Sequence, residues 1–297
     1  MTTIAAIRTH HWGEDAQRVY DQLRPVFGDN LVTVFHNRPE GLELPLPVVD
    51  IDDAWVAANG LRVLPDWGWR CGDYFLYALR QAIPAADHYW LIEPDVFFTG
   101  PVADLFAKVA GRGEDLLGVR IEPMEAGHRF GRGMPGVPLW RAIFALTRFS
   151  GRAADRLFAA RQVYRDSKLE LRFYTNDETF CFSTALADAT LSHANLCDIA
   201  PEWFAQETMR TDPDVLLDTL IAQTAPGAHH PVRARASFKR GLVDRLTDNT
   251  GYLKRMSASL GCLSPEDIDD IAAEVARRSR ETLMHHRPRA KGAVPPK

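Results

Sequence analysis

Between Ile4 and Ile92, short β-branched runs alternate with stretches of helical spacing, and this alternation leaves few folds open. Ile4 to Thr9 reads as a strand closed by Thr9-His10-His11. Glu14 to Phe27 carries Val19, Leu23 and Val26-Phe27 on one helical side before Gly28-Asp29-Asn30 stops it. Leu31 to Phe35 and Pro47 to Ile51 are two more strands, and a helix from Cys71 to Ile83 leads into the strand Tyr89 to Ile92. Strands spaced by helices predict an α/β domain with a mostly parallel central sheet and helices on both faces. Ligands of such sheets bind beyond the carboxyl ends of the strands. Those ends carry Thr9-His10, His36-Asn37, Asp50-Asp52 and Glu93-Asp95, so polar residues collect on one rim. A strand that simply exits into water would also end this way.

Beyond residue 100 the pattern predicts a helix over Val102–Val109 and a strand over Leu116–Ile121. A strand over Ile143–Phe149 and helices over Arg152–Tyr164, Thr179–Ala189 and Phe238–Leu246 follow. Gly127 to Pro138 holds four glycines and two prolines with Arg129 and Arg132, which predicts a mobile loop. Ser264-Pro265 opens a last helix to about Leu283, the serine as cap and the proline at the first helical position. Met284 to Lys297 carries Arg287, Arg289, Lys291 and Lys297 and no acid; it reads as a solvated tail, with peripheral contact to an anionic membrane as the alternative.

Composition excludes more than it selects. A net charge of −4 and a pI near 6.2 provide no basic field to draw in nucleic acid. The four cysteines form no Cys-x-x-Cys pair, so they are expected to be reduced and mostly buried. No apolar run approaches the ~20 residues of a membrane span, and the N-terminus lacks a basic segment followed by a long apolar one, so a cytoplasmic protein is expected.

The stretch "HYWLIEPDVFFTG" (88–100) places Glu93 and Asp95 inside an otherwise apolar run. Residues i and i+2 of an extended chain point to one side, and Pro94 biases Glu93 toward extended backbone. Two carboxylates that close repel each other and raise each other's pKa unless a cation lies near. A hard ion such as Mg²⁺ or Mn²⁺ takes one or two carboxylates together with phosphate oxygens. The other reading is a solvated strand terminus with Asp95 capping the turn.

Arg70 and Asp73, in "WGWRCGDY", flank the start of the helix before this strand. Arg70 suits a phosphate and Asp73 suits ribose hydroxyls, or the two are an N-cap and a surface arginine. Trp67 and Trp69 serve either a stacked ring or the core. Asn176-Asp177-Glu178 opens a helix, and capping and acceptor chemistry are compatible there.

"HYWLIEPDVFFTG" resembles the acidic Asp-x-Asp-type motif of GT-A-fold nucleotide-sugar glycosyltransferases, here in a Glu-x-Asp form. "WRCGDYFLYALRQAIPAADHYW" is similar to the helix and strand that lead into the motif in bacterial members. The resemblance continues through "LTRFSGRAADRLF", "NDETFCFSTAL" and "HHPVRARASFKRG", over roughly residues 1 to 245. It implies a GT-A-like domain over 1–245 and a helical extension with a basic tail over 246–297. It further implies transfer of a sugar from a nucleotide diphosphate donor, expected to be UDP-linked, to a glycan, lipid-linked or small hydroxyl acceptor. The site residues it implies are Asp95, Glu93 and His230 on a divalent cation, Mn²⁺ or Mg²⁺, with His229 as an exposed neighbour. It also implies Arg8, Thr9, Arg70, Asp73 and Glu93 on the nucleotide, and Lys239, beside Arg240, on the leaving diphosphate. Glu178, or Asp177 after it, meets the acceptor as the base of an inverting reaction. Two other classes use the same residues: a nucleotidyl- or phosphotransferase, and a non-catalytic nucleotide- or glycan-binding protein.

Overall fold

The β-branched runs become the strands of one seven-stranded sheet in a computed structural model that describes residues 1–125, 127–134, 136–165, 170–205, 207–247 and 264–286. In chain order the strands of the described residues are β1 (Thr3–Thr9), β2 (Leu31–His36), β3 (Val48–Ile51), β4 (His88–Ile92), β5 (Phe97–Thr99) and β6 (Leu116–Pro123). They continue as β7 (Trp140–Ser150), β8 (His193–Asn195), β9 (Val215–Leu216), β10 (Gly227–His229) and β11 (Val232–Arg233). The sheet order is β3-β2-β1-β4-β7-β6-β8. β7 pairs antiparallel with both β4 and β6, and the other pairings are parallel. The order runs 3-2-1 to one side and turns back at β4, so β1 and β4 form the switch where a crevice opens beyond their carboxyl ends.

Side chains alternate between two cores, as the pleat requires. Ile4, Ala6, Val34 and Leu91 face a core shared with the helices Asp53–Ala58, Asp73–Ala82, Gly151–Tyr164 and Asp177–Ala187. Ala5, Ile7, Leu31 and Ile92 face the other, with Glu14–Phe27, Val102–Val109 and Leu196–Ile199. All five residues of β4 are buried, which explains its continuous apolar run.

The chain divides into two compact units, Met1–Phe238 and Lys239–Lys297. The helix Arg235–Thr247 crosses that division, and Pro265–His286 belongs to the second unit. The latter helix starts in a reciprocal cap, Asp267 N–H to Ser264 Oγ at 3.2 Å and Ser264 N–H to Asp267 Oδ2 at 3.0 Å. Among the described residues no helix is long and apolar enough to cross a membrane. Cys71, Cys181 and Cys197 are free thiols, the first two buried; Cys262 lies outside the described residues, as does most of the basic tail.

The glycine-rich stretch departs from expectation. Phe130, Gly131, Gly133 and Met134 are buried, and Thr175 Oγ1 donates to the Phe130 carbonyl at 2.8 Å. A Cβ at Gly133 would meet Tyr164 Oη at 2.1 Å and Thr175 Oγ1 at 2.2 Å, so glycine there serves close packing. This part of the segment is a packed wall rather than a loose loop.

Candidate metal and nucleotide site

Glu93 and Asp95 follow β4 at the switch point, in a turn rather than an extended strand end. Val96 N–H donates to the Glu93 carbonyl at 3.2 Å, which leaves Pro94 at the turn position its fixed φ favours. The two acids are thus brought together by a turn, not by the alternation of an extended strand. β5 continues from the turn and pairs with β10, His229 opposite Phe97, which brings the next residue, His230, back to the acids. Val232 N–H closes the return on the Asp95 carbonyl at 2.7 Å.

His230 Nε2 lies 3.4 Å from Glu93 Oε2 and 3.5 Å from Asp95 Oδ1. One ligand atom from each residue falls within 4.8 Å of the others. The imidazole Nδ1 sits 2.6 Å from the Arg210 carbonyl, and a proton there fixes the ring with Nε2 toward the acids. Asp95 Oδ2 accepts from Arg233 at 3.1 Å, while the buried Oδ1 has no hydrogen-bond partner. An orphaned buried oxygen is costly unless something binds it. Two carboxylates and an imidazole are a donor set for a hard or borderline divalent cation.

The charges agree. Burial raises the Asp95 pKa and the Glu93 charge adds to the rise, against His230 and Arg233. Burial would raise Glu93 too, but Arg8 and His230 hold it well below the usual carboxylate range. Burial would lower His230, but Asp95 and Glu93 push it up to about 9. Burial and Glu93 raise Glu178, and burial raises Asp177 despite Arg8. Arg8 is shared between Glu93 and Asp177, Arg233 between Asp95 and Asp214, and the raised His230 between Glu93 and Asp95, so the carboxylates are held by cations that each serve two of them.

Arg8, at the end of β1, gives one arm to Glu93 and the other to Asp177 Oδ2 at 3.3 Å. Thr9 turns its hydroxyl to the His11 carbonyl at 2.7 Å and receives the His11 N–H, so it closes the strand end. Arg70 pairs with Asp66 at 2.6 Å and donates to the Leu171 carbonyl. Asp73 does not reach the rim, contrary to expectation. It is fully buried and forked onto Arg161 at 2.7 and 2.9 Å, with Tyr77 Oη at 2.8 Å, so its oxygens are spent inside the core. His229 is buried as well, 3.1 Å from Thr99 Oγ1, because β10 turns it inward. Trp67 belongs to the core, whereas Trp69 is 64% exposed. Lys239 is the first residue of the second unit, and the cluster described here is built from the first unit.

Asn176 caps the helix Asp177–Ala187, accepting from Thr179 N–H. Asp177 is closed off: Oδ1 accepts Glu178 N–H at 2.8 Å, and Oδ2 accepts Gly72 N–H at 2.8 Å besides Arg8. Glu178 is half-buried and receives Asn176 Nδ2 at 3.1 Å. Arg233 and Arg161 were not singled out from sequence. The first follows His-Pro-Val and had a positional signal; the second sits at a helix position like any surface arginine.

No protein-family model matches the chain, and no curated protein matches it. Among solved structures it is similar to a protein described as a glucose-1-phosphate thymidylyltransferase from Bacillus anthracis, in complex with a sucrose. That likeness has 8% identity and a TM-score of 0.37, over 65% of this chain and 86% of that one. It is similar to mouse xyloside xylosyltransferase 1, at 12% identity and a TM-score of 0.37, over 68% of this chain and 86% of that one. It is also similar to a glycosyltransferase involved in glycosylation of the major capsid of PBCV-1, at 7% identity and a TM-score of 0.39, over 81% of this chain and 98% of that one. Overlaps of this size leave the chemistry to the chain's own residues.

Proposed function

We propose that the protein is a cytoplasmic, metal-dependent glycosyltransferase that moves a sugar from a nucleotide diphosphate donor, UDP-linked in the simplest case, to a hydroxyl acceptor. The activity is assigned to residues 1–245, the span of the sequence resemblance. The observation that carries this reading is the convergence of Glu93, Asp95 and His230, with Asp95 Oδ1 orphaned, at the β1/β4 switch point. These residues would hold Mn²⁺ or Mg²⁺. Such an ion, when bound, supplies Lewis-acid charge to the departing diphosphate, worth several kcal/mol. Arg233, 3.1 Å from Asp95, adds positive charge on the same side.

Glu178 is the candidate base. Its carboxyl is raised by burial, which makes it a better proton acceptor than an ordinary glutamate; the helix start alone would have lowered it. Asp177, with both oxygens engaged, positions the helix start.

Calorimetry with UDP and Mn²⁺ tests the reading. Asp95→Asn is expected to weaken the metal-dependent part of UDP binding by about 10²-fold or more, since a lost ligand charge should cost at least as much as a disturbed outer-shell partner. The melting temperature should not fall, because one of two repelling carboxylates is gone. Equal affinity in the variant would overturn the assignment, and release of pyrophosphate rather than sugar from a donor would move the protein to the nucleotidyltransferases.

A further inference from the structure

We propose that Arg8 is a positioning residue, a buried two-armed tie that anchors Glu93 to Asp177, and that residue 72 is glycine because the tie occupies the space a side chain would need. The inference rests on the metal reading above and concerns how its ligand is held.

From sequence, Arg8 was expected on the nucleotide. In the fold both its terminal nitrogens are committed within the protein, one to Glu93 and one to Asp177, and its side chain is 10% exposed. The guanidinium lies 5.2 Å from the Phe144 ring centroid and 5.8 Å from that of Phe75. A planar cation held against two rings has little freedom to turn. Asp177 cannot yield either, since backbone N–H groups of Gly72 and Glu178 each hold one of its oxygens at 2.8 Å. The tie therefore grips Glu93 by Oε1 and leaves Oε2 facing His230 Nε2 at 3.4 Å. Loss of a group that orients a ligand in this way typically costs about 10- to 100-fold in metal affinity.

Gly72 completes the arrangement. A Cβ built there would fall 1.5 Å from Arg8 Nη1 and 2.3 Å from Asp177 Oδ2. The backbone is not the reason for glycine: φ −58° and ψ −19° suit any residue. An alanine at 72 thus adds no charge and no backbone strain, and acts only by pushing the tie aside. That makes it a clean probe.

The experiment titrates Mn²⁺ into the full chain and follows the free-ion electron paramagnetic resonance signal, with thermal melts on the same samples. Gly72→Ala and Arg8→Lys should each weaken Mn²⁺ binding by about tenfold or more, the lower end for an outer-shell partner. Arg8→Lys keeps the charge and loses the fork, so it separates orientation from electrostatics. If the wild-type chain takes up no Mn²⁺, the metal reading itself fails. If the wild type binds and Gly72→Ala binds equally well, this inference is overturned and the metal reading stands. Should Gly72→Ala fail to fold, Arg8→Lys decides alone: affinity within twofold of wild type overturns the inference.

Discussion

Asp115 and Asp95 are both buried, 4% and 8% exposed, and stand at opposite ends of the central sheet, before β6 and after β4. Asp115 is surrounded by donors: Ser150 Oγ at 2.7 Å, Arg152, and the N–H and Oγ of Ser192 at 2.9 and 3.1 Å. Asp95 has Arg233 on one oxygen, while the other makes no hydrogen bond and faces His230 Nε2 at 3.5 Å. Their carboxyls move in opposite directions. Burial would raise Asp115, yet Arg152, Ser150 and Ser192 pull it well below the usual range, whereas Asp95 is raised. A buried acid with every oxygen answered is a joint between elements. One left unanswered beside a second acid has a place for a cation.

The Asp73–Arg161 pair belongs with Asp115. Both side chains are fully buried, and the guanidinium also donates to the Thr175 carbonyl at 3.1 Å and lies 3.8 Å from the Phe180 ring centroid. Arg161→Met should give the largest loss, about 3–5 kcal/mol in urea unfolding, because it strands Asp73 in the core. Replacing both partners, Arg161→Met with Asp73→Leu, should recover most of that loss. If the single variant costs under about 1 kcal/mol, the value of an exposed pair, Asp73 is not a structural joint and returns to the candidate site.

Glu178→Gln probes the surplus side. It should leave melting and UDP–Mn²⁺ affinity near wild type and cut sugar transfer by about 10²-fold or more, the scale of a lost general base. Donor hydrolysis should fall less, since water needs no acceptor alignment. Initial rates of both reactions on one donor make the comparison. Near wild-type transfer would leave Glu178 as a helix-start acid and favour a retaining reaction.

What the sequence made legible follows from which forces are local. The helix Glu14–Phe27 and the strand at Leu31 came from spacing and a glycine stop, which act over a few residues. The rim was legible because strand ends and acids are written in order along the chain. The short helix Asp53–Ala58 departs from the expectation: Asp52 accepts Trp55 N–H, so acids that end a strand also cap a helix. Arg161, Asp73 and Arg8 were beyond reach for a different reason. Their partners lie 88, 88 and up to 169 residues away, and only the packed fold decides whether an acid meets an arginine, a metal or water. The same gap explains why Asp73 and Glu93 looked alike as candidates.

The smallest effect separates the two aspartates most directly. A carboxyl whose folded pKa is depressed contributes stability above its unfolded value and loses it as pH falls through the folded one. Asp115 should therefore stabilise the fold at pH 7 and lose that contribution progressively as pH drops below about 4, where an unfolded aspartate starts to take up protons. Asp115→Asn is expected to cost only about 1 kcal/mol at pH 7, because its arginine partner, Arg152, is 59% exposed and screened by water. His88 lies nearby, lowered by burial and by Arg148, and it also titrates on the way down. Asp115 is one of the charges that raise His88 against that lowering, so the comparison is made in a His88→Gln background, where this titration is absent from both chains. The difference should be flat from pH 7 to pH 5 and shrink below pH 4. A difference that grows toward low pH would mean that Asp115 is raised like Asp95, and that the floor of the sheet also carries unanswered charge.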